Sequence, residues 1–165
     1  MTDLIARWLG IIMLRSGPED LPGGPAVATV GVLAYIGVSA LTLSVSERPG
    51  NPVLILTIAV IVPLVTARFI LNLVGKPARW QQTVAALFGT SALLALLNFP
   101  LLLSTADPPP AGPVLLALAV FVWSFAVDAH IWRRALEVSF TTGLVVAVVL
   151  FAISFTLIAN IVGIT

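Results

Sequence analysis

The sequence predicts an all-α fold, a polytopic membrane helix bundle of five transmembrane helices preceded by an interfacial amphipathic helix. Three observations predict it. Of 165 residues, 59% are hydrophobic and only 9% charged, where a soluble domain carries about 25% charged residues. Long apolar runs, each near the ~20 residues needed to cross a hydrocarbon core, alternate with short segments rich in proline, glycine and charge. The lysines and arginines gather at alternate junctions between those runs, as in a chain threaded repeatedly through a membrane.

Residues 1–16 set Leu4, Ile5, Trp8, Leu9, Ile12 and Met13 on one helical face, with Asp3, Arg7 and Gly10 opposite. The segment is too short to span, so it is expected to lie in the interface with Trp8 at headgroup level. The apolar run ends after Leu14 at Arg15 and no small-residue cleavage pattern follows, so the segment reads as retained, not as a cleaved signal. Residues 17–25 form a Pro/Gly linker that disfavours helix.

Residues 26–165 hold the transmembrane domain, with spans at 26–45, 53–74, 79–103, 114–132 and 136–164. A tight turn at Glu47–Pro52 joins the first two spans. Pro63 sits near the middle of the second, removes one helical hydrogen bond and should kink it. Arg68 and Asn72 fall in its last turns. Asn98-Phe99-Pro100 is expected to interrupt the far end of the third span, and the run from Asp107 to Pro113 reads as a polyproline-like spacer. Ala85 and Gly89, four residues apart, form a small-residue strip on the third span; Ser139, Gly143 and Ala147 form another on the fifth. Such strips let helix backbones approach closely.

Of the eight basic residues, Arg7, Arg15, Arg68, Lys76, Arg79, Arg133 and Arg134 fall on one side of a five-span chain and only Arg48 on the other. The positive-inside rule then puts the N-terminus in the cytoplasm and the C-terminus outside, in an inner membrane of bacterial type.

The polar residues near the inner leaflet form the candidate functional cluster: Arg68, Asn72, Asp128, His130, Arg133, Arg134 and Glu137. Asp128 is the one acid inside a span, at a depth that would let it pair with Arg68. Either it caps or pairs locally, or it belongs to a proton or cation path. His130, the single histidine, lies about 200° around the helix from Asp128, so the two do not form a dyad. It shares a face with Arg133, Arg134 and Glu137, and Arg133 would pair with Glu137 if the helix continued through the turn. Trp80 and Trp132 would complete an inner-leaflet anchor belt.

Other chemistries lack their residues. The chain has no cysteine and a single histidine, so no metal site is expected, and no phosphate loop, nucleophile elbow or dinucleotide fingerprint appears. No cofactor and no enzymatic activity are expected. A net charge of +1 without a basic block excludes nucleic acid as a partner.

The stretches RWQQTVAALFGT at Arg79–Thr90 and HIWRRAL at His130–Leu136, with five spans and a cytoplasmic N-terminus, resemble small bacterial inner-membrane proteins of the Yip1-like type. The resemblance runs from Ala26 to the C-terminus. It implies a membrane-resident role without catalytic residues; the eukaryotic members' link to small GTPases would need a long cytosolic tail, which this chain does not show.

The functional expectation is an accessory, assembly or scaffold subunit in the lipid bilayer, its small-residue strips packing within the bundle or against another membrane protein or a second copy. The alternative is a small transporter or channel whose pathway uses Pro63, Arg68, Asn72, Asn98 and Asp128.

Overall fold

A computed structural model describes residues 2–45, 51–103 and 110–162. Six α-helices follow one another: α1 (Thr2–Ile12), α2 (Pro25–Ser44), α3 (Pro52–Leu73), α4 (Trp80–Leu102), α5 (Ala111–Leu136) and α6 (Phe140–Val162). Single 3-10 turns at Pro18–Asp20 and Pro77–Arg79 precede α2 and α4. Among the described residues, five helices, α2 to α6, are long and apolar enough to cross a membrane. Large side chains such as Leu33, Val65, Phe69 and Leu115 stand exposed on their outer faces. That much outward apolar surface suits hydrocarbon, and the chain is an integral membrane protein.

The helix boundaries follow from local chemistry. Asn51 caps α3, its side chain accepting from the amides of Val53 (2.9 Å) and Leu54 (3.3 Å), with Pro52 in the first turn where no donor is lost. Ser139 caps α6 in the same way, its hydroxyl accepting from the Thr142 amide at 3.1 Å. Gly75, at φ +71°, ends α3 in the left-handed conformation that the Lys76 amide needs to reach the Leu71 carbonyl at 2.8 Å.

Three expectations on boundaries are corrected. Asn98-Phe99-Pro100 does not interrupt α4, which continues to Leu102. One lost hydrogen bond at a proline costs less than unwinding a turn that lipid cannot solvate. Ala111, Gly112 and Pro113 belong to the first turn of α5 and not to a spacer, because a proline there forfeits only an amide that is unpaired in any helix start. At its other end α5 runs past Trp132 to Leu136, which puts Arg133 and Arg134 in the last turn, where positive charge favours the helix dipole. The turn segment 47–50, with Arg48, the prolines at 108 and 109, and residues 163–165 lie outside the described residues.

The five spans form a ring in the order α2, α4, α5, α6, α3. Neighbours from α2 through α6 pack extensively, whereas α3 closes the ring with lighter contacts to α6, α2 and α4. Glycines set the tight pairs. A Cβ built at Gly31 on α2 would stand 3.1 Å from the Ala85 carbonyl oxygen of α4, and one at Gly143 on α6 would stand 2.3 Å from the Ala129 carbonyl oxygen of α5.

Helix α1 is amphipathic as expected, and Trp8 is buried within the bundle. It is buried against α4 with its ring over Gly89, nine positions and roughly 13 Å along the helix from Trp80. Ile11 and Ile12 are buried with it, while Ile5, Leu9 and Met13 face outward. The Trp123 indole of α5 donates to the Ile12 carbonyl at 2.9 Å. The helix is thus apolar on two flanks, one toward α4 and α5 and the other outward.

Candidate functional site

The end of the bundle that gathers the basic side chains is a clamp. Lys76, after α3, donates to the Leu136 carbonyl at 3.0 Å, and Arg79, before α4, donates to the carbonyls of Arg134 and Ala135, each at 3.1 Å. These are carbonyls that the last turn of α5 leaves without helical partners. Both cations also pair with Glu137, which stands in the left-handed conformation at φ 59° just beyond that helix. Hydrogen bonds from Lys76 and then Arg79, reinforced by their charges, hold the Glu137 carboxyl below the usual glutamate range.

The candidate cluster is therefore divided. Arg133 and Glu137 do not pair, because the helix ends between them and the turn swings Glu137 toward Lys76 and Arg79. Arg134 pairs with Glu19 of the segment after α1. His130 is buried and its Nε2 lies 3.0 Å from the Ser16 carbonyl, while Gln82 donates to the Leu21 carbonyl at 2.8 Å. Together these contacts strap residues 16–21 to α4 and α5. Asn72 and Arg133 are exposed. Arg68 and Asp128 do not form the expected ion pair among the described residues: the Arg68 guanidinium sits 5.6 Å from the centre of the Trp80 ring, whose indole donates to the Leu64 carbonyl at 3.3 Å. An arginine stacked on an aromatic near a helix end keeps its charge near polar surroundings without crossing the bundle.

Asp128 turns the other way, into a half-open cavity of about 340 Å³ among the spans. All five spanning helices contribute: Tyr35 from α2, Pro63 from α3, Ser91 from α4, Asp128 and Trp132 from α5, and Ser154 from α6. Trp132 is thus a buried cavity wall and not a member of an interfacial belt. The Asp128 carboxyl makes no hydrogen bond or ion pair among the described residues. Ala59 also lines the cavity. Its carbonyl is the one that Pro63, lacking an N–H, leaves without a donor four residues on. The cavity therefore brings the Asp128 side chain beside the turn of α3 that Pro63 deprives of a helical donor.

Of the small-residue strips, Ala85 meets Gly31, Gly89 receives the Trp8 ring, and Gly143 meets Ala129. Ala147 is buried and lines the cavity, and Ser139 is an exposed helix cap. No group of three or more acidic, histidine or cysteine side chains able to hold a metal occurs among the described residues.

No protein-family model, curated protein or solved structure matches this chain. What the site can do must come from its own groups. A carboxyl without a partner, four hydroxyls at Tyr35, Thr66, Ser91 and Ser154, and an apolar remainder can hold a small molecule that brings its own polar group to Asp128. Sequence reasoning singled out Asp128 and Pro63, but missed Tyr35, Trp132 and Ser154 as their companions. The available signal was faint: single hydroxyls in apolar runs, which more often bond to their own helix. Thr66 does so, donating to the Val62 carbonyl at 2.7 Å.

Proposed function

We propose that this integral membrane protein binds and passes a small solute, with the cavity at Asp128 as the binding station. The observation that carries the proposal is the Asp128 carboxyl, set without a hydrogen-bond or ion-pair partner among the described residues in a cavity lined by five spanning helices. An ionisable group inside a membrane bundle is costly to keep, and it persists where it serves a pathway or a ligand.

Two features support passage and not storage. Helix α3 is the most lightly packed wall of the ring, and its proline stands at the cavity. A wall of that kind can shift without breaking the tight pairs that hold the other four spans. The orientation we propose keeps the Lys76, Arg79 and Arg134 end in the cytoplasm of a bacterial cell, following the distribution of basic residues.

The scaffold reading had the small-residue strips pack within the bundle or against a partner. Ala85, Gly89 and Gly143 are each engaged within the chain, so at these positions the strips serve the bundle. The Yip1-like resemblance assigns no residue a role, so the cavity alone carries the functional reading.

The test is an unbiased uptake screen. Proteoliposomes holding the full chain are incubated with the small-molecule extract of a bacterial cell, and their lumens are analysed by mass spectrometry beside vesicles holding Asp128→Asn. A solute enriched with the wild-type chain and not with the variant is expected; identical lumens would sink the proposal.

A further inference from the structure

Resting on the solute-handling reading, we infer that the Asp128 cavity takes an organic cation, an amine or quaternary ammonium whose apolar groups lie against aromatic walls. Charge argues first. Among the described residues, the lining contains one carboxyl and no lysine, arginine or histidine. None of the described cations at this end of the bundle lines the cavity: Arg68 stacks over Trp80, Lys76 and Arg79 pair with Glu137, Arg134 pairs with Glu19, and Arg133 is exposed. A charge missing from the protein is supplied most economically by the ligand, whereas an anion would meet Asp128 with nothing to offset the repulsion.

The walls argue next. Tyr35, Phe88, Trp132, Phe151 and Phe155 bring five aromatic rings to the lining. The rings extend outward along α5 and α6, where Phe121, Phe125, Phe151 and Phe155 form a continuous series with centroids 5.1 to 5.9 Å apart. Aromatic faces attract cations, and most strongly those that shed little hydration on leaving water, as alkylated ammonium groups do.

Size and ligand type exclude a bare divalent cation. A dehydrated Ca²⁺ or Mg²⁺ needs about six or more oxygens at close range. Here one carboxyl and scattered hydroxyls stand around a space of about 340 Å³. That volume falls at the small end of the range of about 300–1,000 Å³ that organic ligands occupy.

The probe is radiolabelled benzyltrimethylammonium, bound at equilibrium to the full chain in nanodiscs of zwitterionic lipid. Its competitors are neopentylbenzene, of the same shape without charge, and phenylmethanesulfonate, of similar shape and opposite charge. Saturable binding is expected, displaced by unlabelled cation and by neither competitor. Asp128→Asn should weaken it by about thirtyfold or more, as loss of a desolvated charge partner does, and Asp128→Glu should retain most of it. Because Asp128→Asn can also disturb folding, Phe155→Ala serves as a second variant. Phe155 is largely exposed on its outer side, and its loss should weaken binding about threefold.

Equal competition by neopentylbenzene, or unchanged binding to both Asp128→Asn and Phe155→Ala, would overturn the assignment. So would a complete lack of saturable binding. The two readings fail separately. An Asp128-dependent solute from the uptake screen that carries no positive charge removes the cation assignment and leaves the solute reading standing; identical lumens in that screen remove both.

Discussion

The Trp8 indole occupies the space that a side chain at Gly89 would fill: a Cβ built there would lie 2.1 Å from Trp8 Cε2. This contact joins α1 to the middle of α4 and makes the N-terminal helix part of the bundle. Gly89→Val should expel the ring and detach α1, at a cost of about 1–3 kcal/mol for overpacking. The gain in helix propensity, about 1 kcal/mol at most, would not offset it. Deuterium exchange at residues 2–16 in nanodiscs is the measurement. Faster exchange confined to α1 is expected, and unchanged protection would show that Trp8 does not hold the helix in place.

The clamp at Glu137 gives a pH dependence with a definite sign. A carboxyl held below its ordinary value of 4.5 contributes stability that is complete above that value and is lost as pH falls through its lower folded value. Thermal unfolding of the wild-type chain should therefore lose this contribution only in acid below the usual glutamate range. Glu137→Gln should remove that component of the acid loss and leave the curve near neutrality shifted down by a constant amount. An identical acid profile in the variant would mean that Lys76 and Arg79 do not act through Glu137.

Two glycine substitutions should differ in a predictable order. Gly143→Ala would drive a methyl group to 2.3 Å from the Ala129 carbonyl oxygen, backbone against backbone, so α5 and α6 must separate. Gly31→Ala meets the Ala85 carbonyl oxygen at 3.1 Å, a contact that a shift of a few tenths of an ångström relieves. Gly143→Ala should destabilise by about 1–3 kcal/mol, and Gly31→Ala by less, since its gain in helix propensity offsets part of the strain. Melting temperatures in one detergent test the order, and a reversal would contradict the helix spacings described above.

Pro63→Ala returns an amide donor to the helix at the position of the Ala59 carbonyl. The variant should be more stable, by about 1–3 kcal/mol, because an interior proline is the least favourable helical residue. It should also handle its solute more slowly, since Pro63 and the lightly packed wall of α3 both lie at the cavity. Higher stability with undiminished uptake would separate Pro63 from function.

Much of the fold is legible in the sequence, because lipid leaves few alternatives: each long apolar run must close its own hydrogen bonds as a helix. Local rules failed where the membrane overrides them, at Pro100, which stays inside α4, and at Gly112 and Pro113, which start α5. The site was less legible. The sequence brought Asp128 and Pro63 to attention, since a lone acid and a mid-span proline are conspicuous, and their common cavity follows from the closure of the ring by α3. Periodicity also separated His130 from Asp128, and the two residues do face different elements, Ser16 in one case and the cavity in the other. Partners distant in sequence were out of reach. Nothing local to Arg68 announces Trp80, and nothing local to Glu137 announces Lys76, some sixty residues away.

The central claim, that Asp128 stands on a solute path, is tested most directly by chemical access. The chain has no cysteine, so Asp128→Cys carries a unique thiol. Its modification by a membrane-impermeant cationic thiol reagent is measured in proteoliposomes of known orientation, with reagent applied outside or trapped inside. A path predicts modification from both faces of the membrane. Modification from only one face, or from neither, would contradict passage.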